Sequence, residues 1–295
     1  MDKQVLEMER ISFDGREMEI ENYRTENLLI LKHYLDEQRS GREMAESLRY
    51  ARRIHDALLP DEDQLRTFEN ESFALNFPKE TLGGDFYWCT RVEDKFIIIL
   101  ADCTGHGVPG ALMSILAISF IDHVVLEERI TDPSLILQRL NEKMKKAFKY
   151  STPDQRRGYD GMDMVVCAID REHKRITSAG AMRDAYIMGR DEMIVMRSAR
   201  YPVGGLYLES ARAYPASSMT YNEGDMLYLF TDGFADQFGG ANGKRITSNR
   251  FRKFVSERAS LSIQEQKAAV VGFFLEWKGS NEQVDDAMMV GIKLK

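Results

Sequence analysis

Four aspartates stand at the ends of short apolar segments, and no other feature restricts the fold of this chain as much. Asp102 ends the run Phe96-Ile97-Ile98-Ile99-Leu100-Ala101, and Asp232 follows Met226 to Phe230. Asp285 precedes the run Ala287 to Leu294, and Asp85 follows Gly83-Gly84. Short apolar runs bounded by turn residues read as buried strands. An aspartate at such an end, beside glycine or another small residue, sits on a rim where backbone can approach an ion closely. A single one merely starts a turn. Four carboxylates meeting on one rim repel each other unless a cation neutralises them. Hard oxygen donors of this kind suit Mg²⁺ or Mn²⁺.

The chain is long enough for one large domain and an accessory segment, at 295 residues. Its net charge of −7 argues against nucleic acid as a partner, because phosphate backbones require a basic face. No apolar run reaches the ~18–20 residues of a membrane span; Ala111 to Ile121 comes nearest and stops at Asp122. Charges interrupt the N-terminus Met1-Asp2-Lys3-Gln4, which is therefore no signal peptide. Cys89, Cys103 and Cys167 are odd in number and lack a Cys-x-x-Cys spacing, the pattern of reduced thiols in a cytoplasmic protein.

The first sixty residues are rich in charge and carry apolar residues at helical spacing. Leu28, Leu31 and Leu35 form one stripe, and Met44, Leu48, Ala51 and Leu58 form a second beyond Ser40-Gly41. This predicts one or two amphipathic helices jointed at Gly41, lying on the domain or pairing with a second copy of the chain. Pro60-Asp61-Glu62-Asp63 ends the helix and places a boundary between a helical segment, 1–62, and a globular domain, 63–295. Strands are expected at 73–77, 85–89, 96–101, 164–169, 175–178, 185–188, 193–196, 226–230 and 287–294. Helices are expected at 109–126, 134–150 and 263–275. Strands in hairpin-like succession with grouped helices indicate an α+β sandwich.

Other motifs fail on context. Gly105-His106-Gly107-Val108-Pro109-Gly110 has the spacing of a dinucleotide loop, but no second parallel strand with a terminal acid follows. Gly239-Gly240-Ala241-Asn242-Gly243-Lys244 has the wrong glycine spacing for a P-loop and reads as a flexible surface loop. His33 and His55 fall on the charged helices as solvated residues. His106 alone neighbours the acidic rim, where it would relay a proton or hold the loop.

Gly83-Gly84-Asp85-Phe86-Tyr87, Ala101-Asp102-Cys103-Thr104-Gly105-His106-Gly107-Val108-Pro109-Gly110-Ala111, Gly224-Asp225 with Thr231-Asp232-Gly233, and Asp285-Asp286 resemble the SpoIIE/RsbU branch of bacterial PPM-type serine/threonine protein phosphatases. Asp160-Gly161-Met162-Asp163-Met164 and Tyr201-Pro202-Val203-Gly204-Gly205 also resemble that branch. So does the linker-like stretch from Ser47 to Pro60.

The resemblance implies an α-β-β-α sandwich with two Mn²⁺ or Mg²⁺ ions at its acidic edge. On that reading Asp85, Asp102, Asp232 and Asp285 hold the metals with the backbone carbonyl of Cys103, and Asp286 supports from behind. It also implies hydrolysis of phosphoserine or phosphothreonine by metal-activated water. The implied substrate is a signalling protein such as a STAS-domain anti-sigma-factor antagonist. A homodimer formed through the N-terminal helices and an upstream activator complete the expectation. In such relatives the helix after Asp102 acts as a switch, so Leu48 and Ile54 are expected to influence the metal site through the linker. The alternative is a catalytically silent module of the same fold, working through those helices. Two segments depart from the family pattern. Trp88 stands where many relatives carry Asp, and Ser178-Ala179-Gly180-Ala181-Met182-Arg183 replaces an Ala-Gly-His-Asn-Pro segment. Arg183 reads as a solvated turn residue, the alternative being a contact with a phosphate or protein substrate.

Overall fold

The computed structural model describes residues 16–148, 160–205 and 212–295. Two compact units divide at Ala51/Arg52, so residues 52–62, assigned to the helical segment from sequence, pack with the larger unit. Helix α1 (Arg16–Leu58) runs unbroken through Ser40-Gly41. A glycine in a solvated helix costs only about 1 kcal/mol, too little to break it, and the expected joint is absent. Met44 and Leu58 are largely exposed. The side chains of Leu28, Leu31 and Leu35 lie outside the described residues. Pro60 separates α1 from α2 (Glu62–Phe68), whose N-cap is Asp61, its side chain accepting from the Gln64 N–H.

The larger unit continues with β1 (Ser72–Phe77), β2 (Phe86–Val92), β3 (Lys95–Cys103), α3 (Gly107–Asp122), a π-turn (His123–Glu127) and α4 (Pro133–Ala147). Next come β4 (Gly161–Asp170), β5 (Arg175–Ala181), β6 (Ala185–Met188), β7 (Met193–Met196), the short β8 (Val203–Gly204), β9 (Ser217–Thr220) and β10 (Met226–Phe230). Then follow α5 (Gly233–Asp236), a small hairpin of β11 (Phe238–Gly239) and β12 (Lys244–Arg245), α6 (Ser248–Ser256), α7 (Ile263–Lys278) and β13 (Ala287–Lys293). The segment 239–244, expected as a loop, is thus the turn of that hairpin. Helices α2 and α6 and strand β9 were not expected from periodicity. Tyr150, the expected end of α4, lies outside the described residues.

Two antiparallel sheets face each other, one in the order β1-β13-β10-β6-β7 and the other β2-β3-β4-β5-β9. Alternate residues of the central strands fill the space between them: Ile98 and Leu100 of β3, Val165 and Cys167 of β4, Leu227 and Leu229 of β10, Val290 and Ile292 of β13. The opposite residues of β3, Ile97 and Ile99, pack with Ala117 and Ile121 of α3 and Leu137 and Leu140 of α4. On the far sheet, Tyr228 and Met289 pack with Phe251 of α6 and Phe274 of α7. The layers are therefore α-β-β-α. Because both faces of the central strands are buried, those strands read as continuous apolar runs.

Gly107–Glu127 is, by length and composition, the one helix among the described residues apolar enough to cross a membrane, and half of its apolar window is buried in the domain. The helical path continues past Asp122, in keeping with the helix expected over 109–126, and the Asp122 carboxylate accepts a hydrogen bond from Trp88 Nε1 at 2.9 Å. Among the described residues the three cysteines are free and buried.

Candidate active site

The ends of β3, β4, β10 and β13 and the segment entering β2 meet at one edge of the sandwich. Asp102 and Asp163 are direct partners across β3 and β4. Like charges placed so are destabilising, and a third carboxylate, Asp232, joins them. One cation holds the three together. Arg183, in the turn between β5 and β6, reaches in with Nη2, bonded to Asp102 and 2.6 Å from Asp232 Oδ2. The same nitrogen lies 3.3 Å from Asp163 Oδ2. The Arg183 side chain is 13 % exposed, so the expectation of a solvated turn residue is overturned. Its backbone is held by Met182, a non-glycine residue at φ +66° whose N–H bonds Ala199 O at 2.8 Å. Such a conformation carries strain, offset here by three ion pairs.

Asp85 lies deeper, almost fully buried. Its Oδ2 has no hydrogen-bond partner. Burial pushes its carboxyl well above the ordinary range, and the charge of Asp102 adds to the effect. Burial likewise pushes Asp102 up to about 7, with Arg183 opposing and Asp232, Asp163 and Asp285 reinforcing. Asp285 is half-buried beside Asp232 and raised for the same reason. The rim is short of positive charge.

Asp286 has a different task. Its two oxygens accept the N–H groups of Lys79 and Gly84, each at 2.7 Å, and so fix the backbone that presents Asp85. A Cβ on Gly84 would lie 2.9 Å from the Gly105 carbonyl oxygen and 3.2 Å from that of Cys103. One on Gly110 would collide with the Gly105 carbonyl. Those two glycines let the Asp85 and Asp102 loops close on each other, with the Cys103 carbonyl at their junction.

The structure thus brings Asp102 and Asp232 onto one centre, with Asp85 beneath and Asp285 beside it. Sequence reasoning gave no role to Asp163, although it lies in the Asp160-to-Met164 motif, and misjudged Arg183. His106 pairs with a carboxylate outside this set, its Nδ1 2.6 Å from Glu80 Oε1. Among the described residues no three acidic, histidine or cysteine side chains stand in ready metal-ligating geometry, since Arg183 lies between them. The donor set still fits a hard divalent cation: it is all oxygen, it includes an orphaned buried carboxylate oxygen, and a guanidinium stands in for the charge.

His55 was read as solvated and is buried. Ser114 Oγ donates to Ala111 O at 2.8 Å. It therefore accepts from His55 Nε2, 2.7 Å away. This bond joins the last turn of α1 to α3, whereas Ile54, one of the two residues expected to couple them, is 46 % exposed. Burial lowers the His55 pKa, Asp56 and Asp286 raise it and Arg52 lowers it further. A depressed histidine stabilises the fold above its unfolded pKa of about 6.5, and that contribution is lost as pH falls toward the folded value. Amide exchange across residues 52–58 should therefore quicken between pH 7.5 and 5.5 in the wild type. A His55→Phe variant should show no such change after correction for intrinsic exchange rates. An equal change in both proteins would detach the effect from His55.

Comparison with known proteins agrees with this architecture. Residues 93–295 match the family model described as stage II sporulation protein E (SpoIIE). The chain is 25% identical over 167 residues to the phosphoserine phosphatase RsbU of Bacillus subtilis, covering 55% of this chain and 46% of that protein. It therefore spans about half the length of that curated relative. The solved SiaA PP2C domain of Pseudomonas aeruginosa is 32% identical, with a TM-score of 0.78, covering 87% of this chain and 99% of that domain. RsbX, crystallised with magnesium, shares the fold at 16% identity and a TM-score of 0.53, covering 76% of this chain and 94% of that one. With its matched residues spanning β3 to β13 and its two sheets in the PP2C arrangement, the chain belongs to the SpoIIE family of PPM-type phosphatase domains.

Proposed function

We propose that this protein is a divalent-metal-dependent phosphatase that removes phosphate from phosphoserine or phosphothreonine on a signalling protein. The observation that carries the reading is the gathering of Asp102, Asp163 and Asp232 around a single cation, with the orphaned oxygen of Asp85 beneath. Asp85, Asp102, Asp232 and Asp285, with the Cys103 carbonyl, are the residues proposed to hold two Mn²⁺ or Mg²⁺ ions. When bound, such ions supply Lewis-acid activation of water and offset charge on the phosphoryl group. The protein's part is to orient and exclude. Asp286 fixes the Gly84 backbone, α3 and its loop close one side, and Arg183, once released from the carboxylates, has its guanidinium fork free for phosphoryl oxygens.

Covalent catalysis by cysteine is disfavoured. Burial pushes Cys89 and Cys167 up to about 12 and Cys103 well above its usual value, so none supplies a thiolate at neutral pH. The silent-module alternative leaves the buried carboxylates of the rim without purpose, since a pseudo-enzyme has no need of repelling charges. A phosphoserine peptide should be hydrolysed with Mn²⁺ and untouched in excess EDTA. Equal rates in both, or none in either, would reject the proposal.

The substrate proposed by analogy with RsbU is a phosphorylated STAS-domain anti-sigma-factor antagonist. Dimerisation through α1 and response to an upstream activator belong to the same proposal. The exposed Met44 and Tyr50 of α1 support it, and a light-scattering mass of one chain at tens of micromolar would remove the dimer.

A further inference from the structure

A cavity of about 230 Å³ opens beside Asp232, and four arginines line it: Arg183, Arg197, Arg200 and Arg252. In a chain of net charge −7, such a concentration is unexpected, and the distribution of partners makes it more so. Arg183 is committed to the three aspartates. Arg197 Nη1 bonds Asp184 Oδ2 at 3.0 Å, and Ser198 occupies the other oxygen of Asp184 through its N–H and its hydroxyl. Arg200 and Arg252 have no carboxylate partner among the described residues. Arg200 is exposed. Arg252 lies over the Tyr186 ring, 5.7 Å from its centroid, with Nε toward Ser248 O and Nη2 bonded to Asn249 Oδ1. Ser248, which also lines the cavity, is the first residue of α6, so the positive end of that helix adds to the field.

We infer that this cavity is a substrate subsite: Arg200 and Arg252 receive an acidic side chain of the phosphoprotein that flanks the phosphorylated residue. The inference rests on the phosphatase reading and adds to it a sequence preference. Asp232 belongs both to the carboxylate cluster and to the cavity wall, so a phosphoryl group at the cluster and an anion in the cavity are neighbours. An extended peptide advances about 3.3 Å per residue, and with Asp232 common to both sites the cavity faces a residue close to the phosphorylated one. The cavity holds one carboxylate but is too small for a folded element, and the two guanidinium groups that line it set its charge requirement. The two arginines come from different elements, the segment after β7 and helix α6, and neither has another ionic task among the described residues.

The test uses two phosphoserine peptides that differ only in whether the flanking residues are Glu or Gln. Turnover with Mn²⁺ and binding by fluorescence anisotropy are measured for the wild type, Arg200→Ala/Arg252→Ala and Arg200→Glu/Arg252→Glu. The wild type should favour the Glu peptide by about tenfold, the sum of two partly exposed charge pairs. The alanine variant should lose that preference, and the charge-reversed variant should prefer Gln. Melting temperatures identify any variant that fails to fold, and single substitutions then replace the doubles. A preference retained in the variants, or absent from the wild type, overturns the subsite. So does a loss that appears equally in inhibition by inorganic phosphate alone, which would make the cavity a product site. If no form hydrolyses either peptide, the phosphatase reading falls, and the anisotropy comparison still decides the subsite.

Discussion

Asp232→Asn should leave the fold intact and lower turnover with Mn²⁺ by more than about 100-fold, the upper range for losing a residue that merely supports a metal ligand. Asparagine keeps the size of the side chain and removes its charge. Asp232 is 41 % exposed on its side chain, so the substitution opens no cavity, and a loss of activity can be assigned to the site. Asp102→Asn should act alike on turnover but differently on the metal-free protein. The carboxyl there is already pushed up to about 7 by burial, so a neutral side chain relieves repulsion. Metal affinity, read by calorimetry, should fall in both variants along with the rate. Wild-type kinetics in Asp232→Asn would show that the rim is not where the chemistry happens.

Removal of Arg183 should have the second large effect, with opposite signs in two measurements. Without metal, Arg183→Met leaves Asp102, Asp163 and Asp232 facing one another unneutralised. Breaking a buried ion pair costs about 3–5 kcal/mol, and the partial exposure of Asp232 and Asp163 reduces this to about 2–3 kcal/mol. At about 2–4 °C per kcal/mol for a domain of this size, melting in EDTA should fall by roughly 4–12 °C. Mn²⁺ should restore most of the loss and bind more tightly than to the wild type, because no internal cation competes for the carboxylates. Turnover should nevertheless fall, since the guanidinium is no longer there to hold phosphoryl oxygens. Unchanged melting in EDTA together with unchanged Mn²⁺ affinity would mean that Arg183 does not compete for the site.

The two experiments separate what the rim does from what fills it. If both hold, the carboxylates are an ion site that the protein keeps closed with its own side chain until a divalent cation takes over. The cost of opening is then set by the β5–β6 turn, where Met182 sits at φ +66°. That residue has no role visible in a linear motif, yet it decides where the Arg183 Cα stands.

Much of the architecture was legible in the chain because it rests on local patterns. The runs Phe96 to Ala101, Met226 to Phe230 and Ala287 to Ile292 carry no charge since both of their faces are covered, and that signal survives without any knowledge of the partner strands. Pro133 and the cap Asp132, whose side chain accepts from Leu135 N–H at 3.0 Å, announced α4 in the same local way. The four aspartates were legible because each ends or precedes a strand, and the glycines beside them showed where backbone comes close.

What only the tertiary structure decided is which of these groups meet, and which neighbours the motifs did not mark. Asp163 faces Asp102 through strand register, 61 residues away in sequence, a relation set by pairing across β3 and β4. Arg183 enters the cluster through the path of a strained turn, and His55 is buried because Ser114 of α3 lies within its hydrogen-bonding reach. The helix expected over 109–126 changes to a π-turn after Asp122, whose carboxylate accepts from Trp88 Nε1, a partner that no motif marked. Local sequence determined the strands and the residues able to carry charge at their ends, since propensity and periodicity act over a few residues. Long-range packing determined the net charge balance at the rim, since electrostatic energy depends on distances that no spacing along the chain encodes.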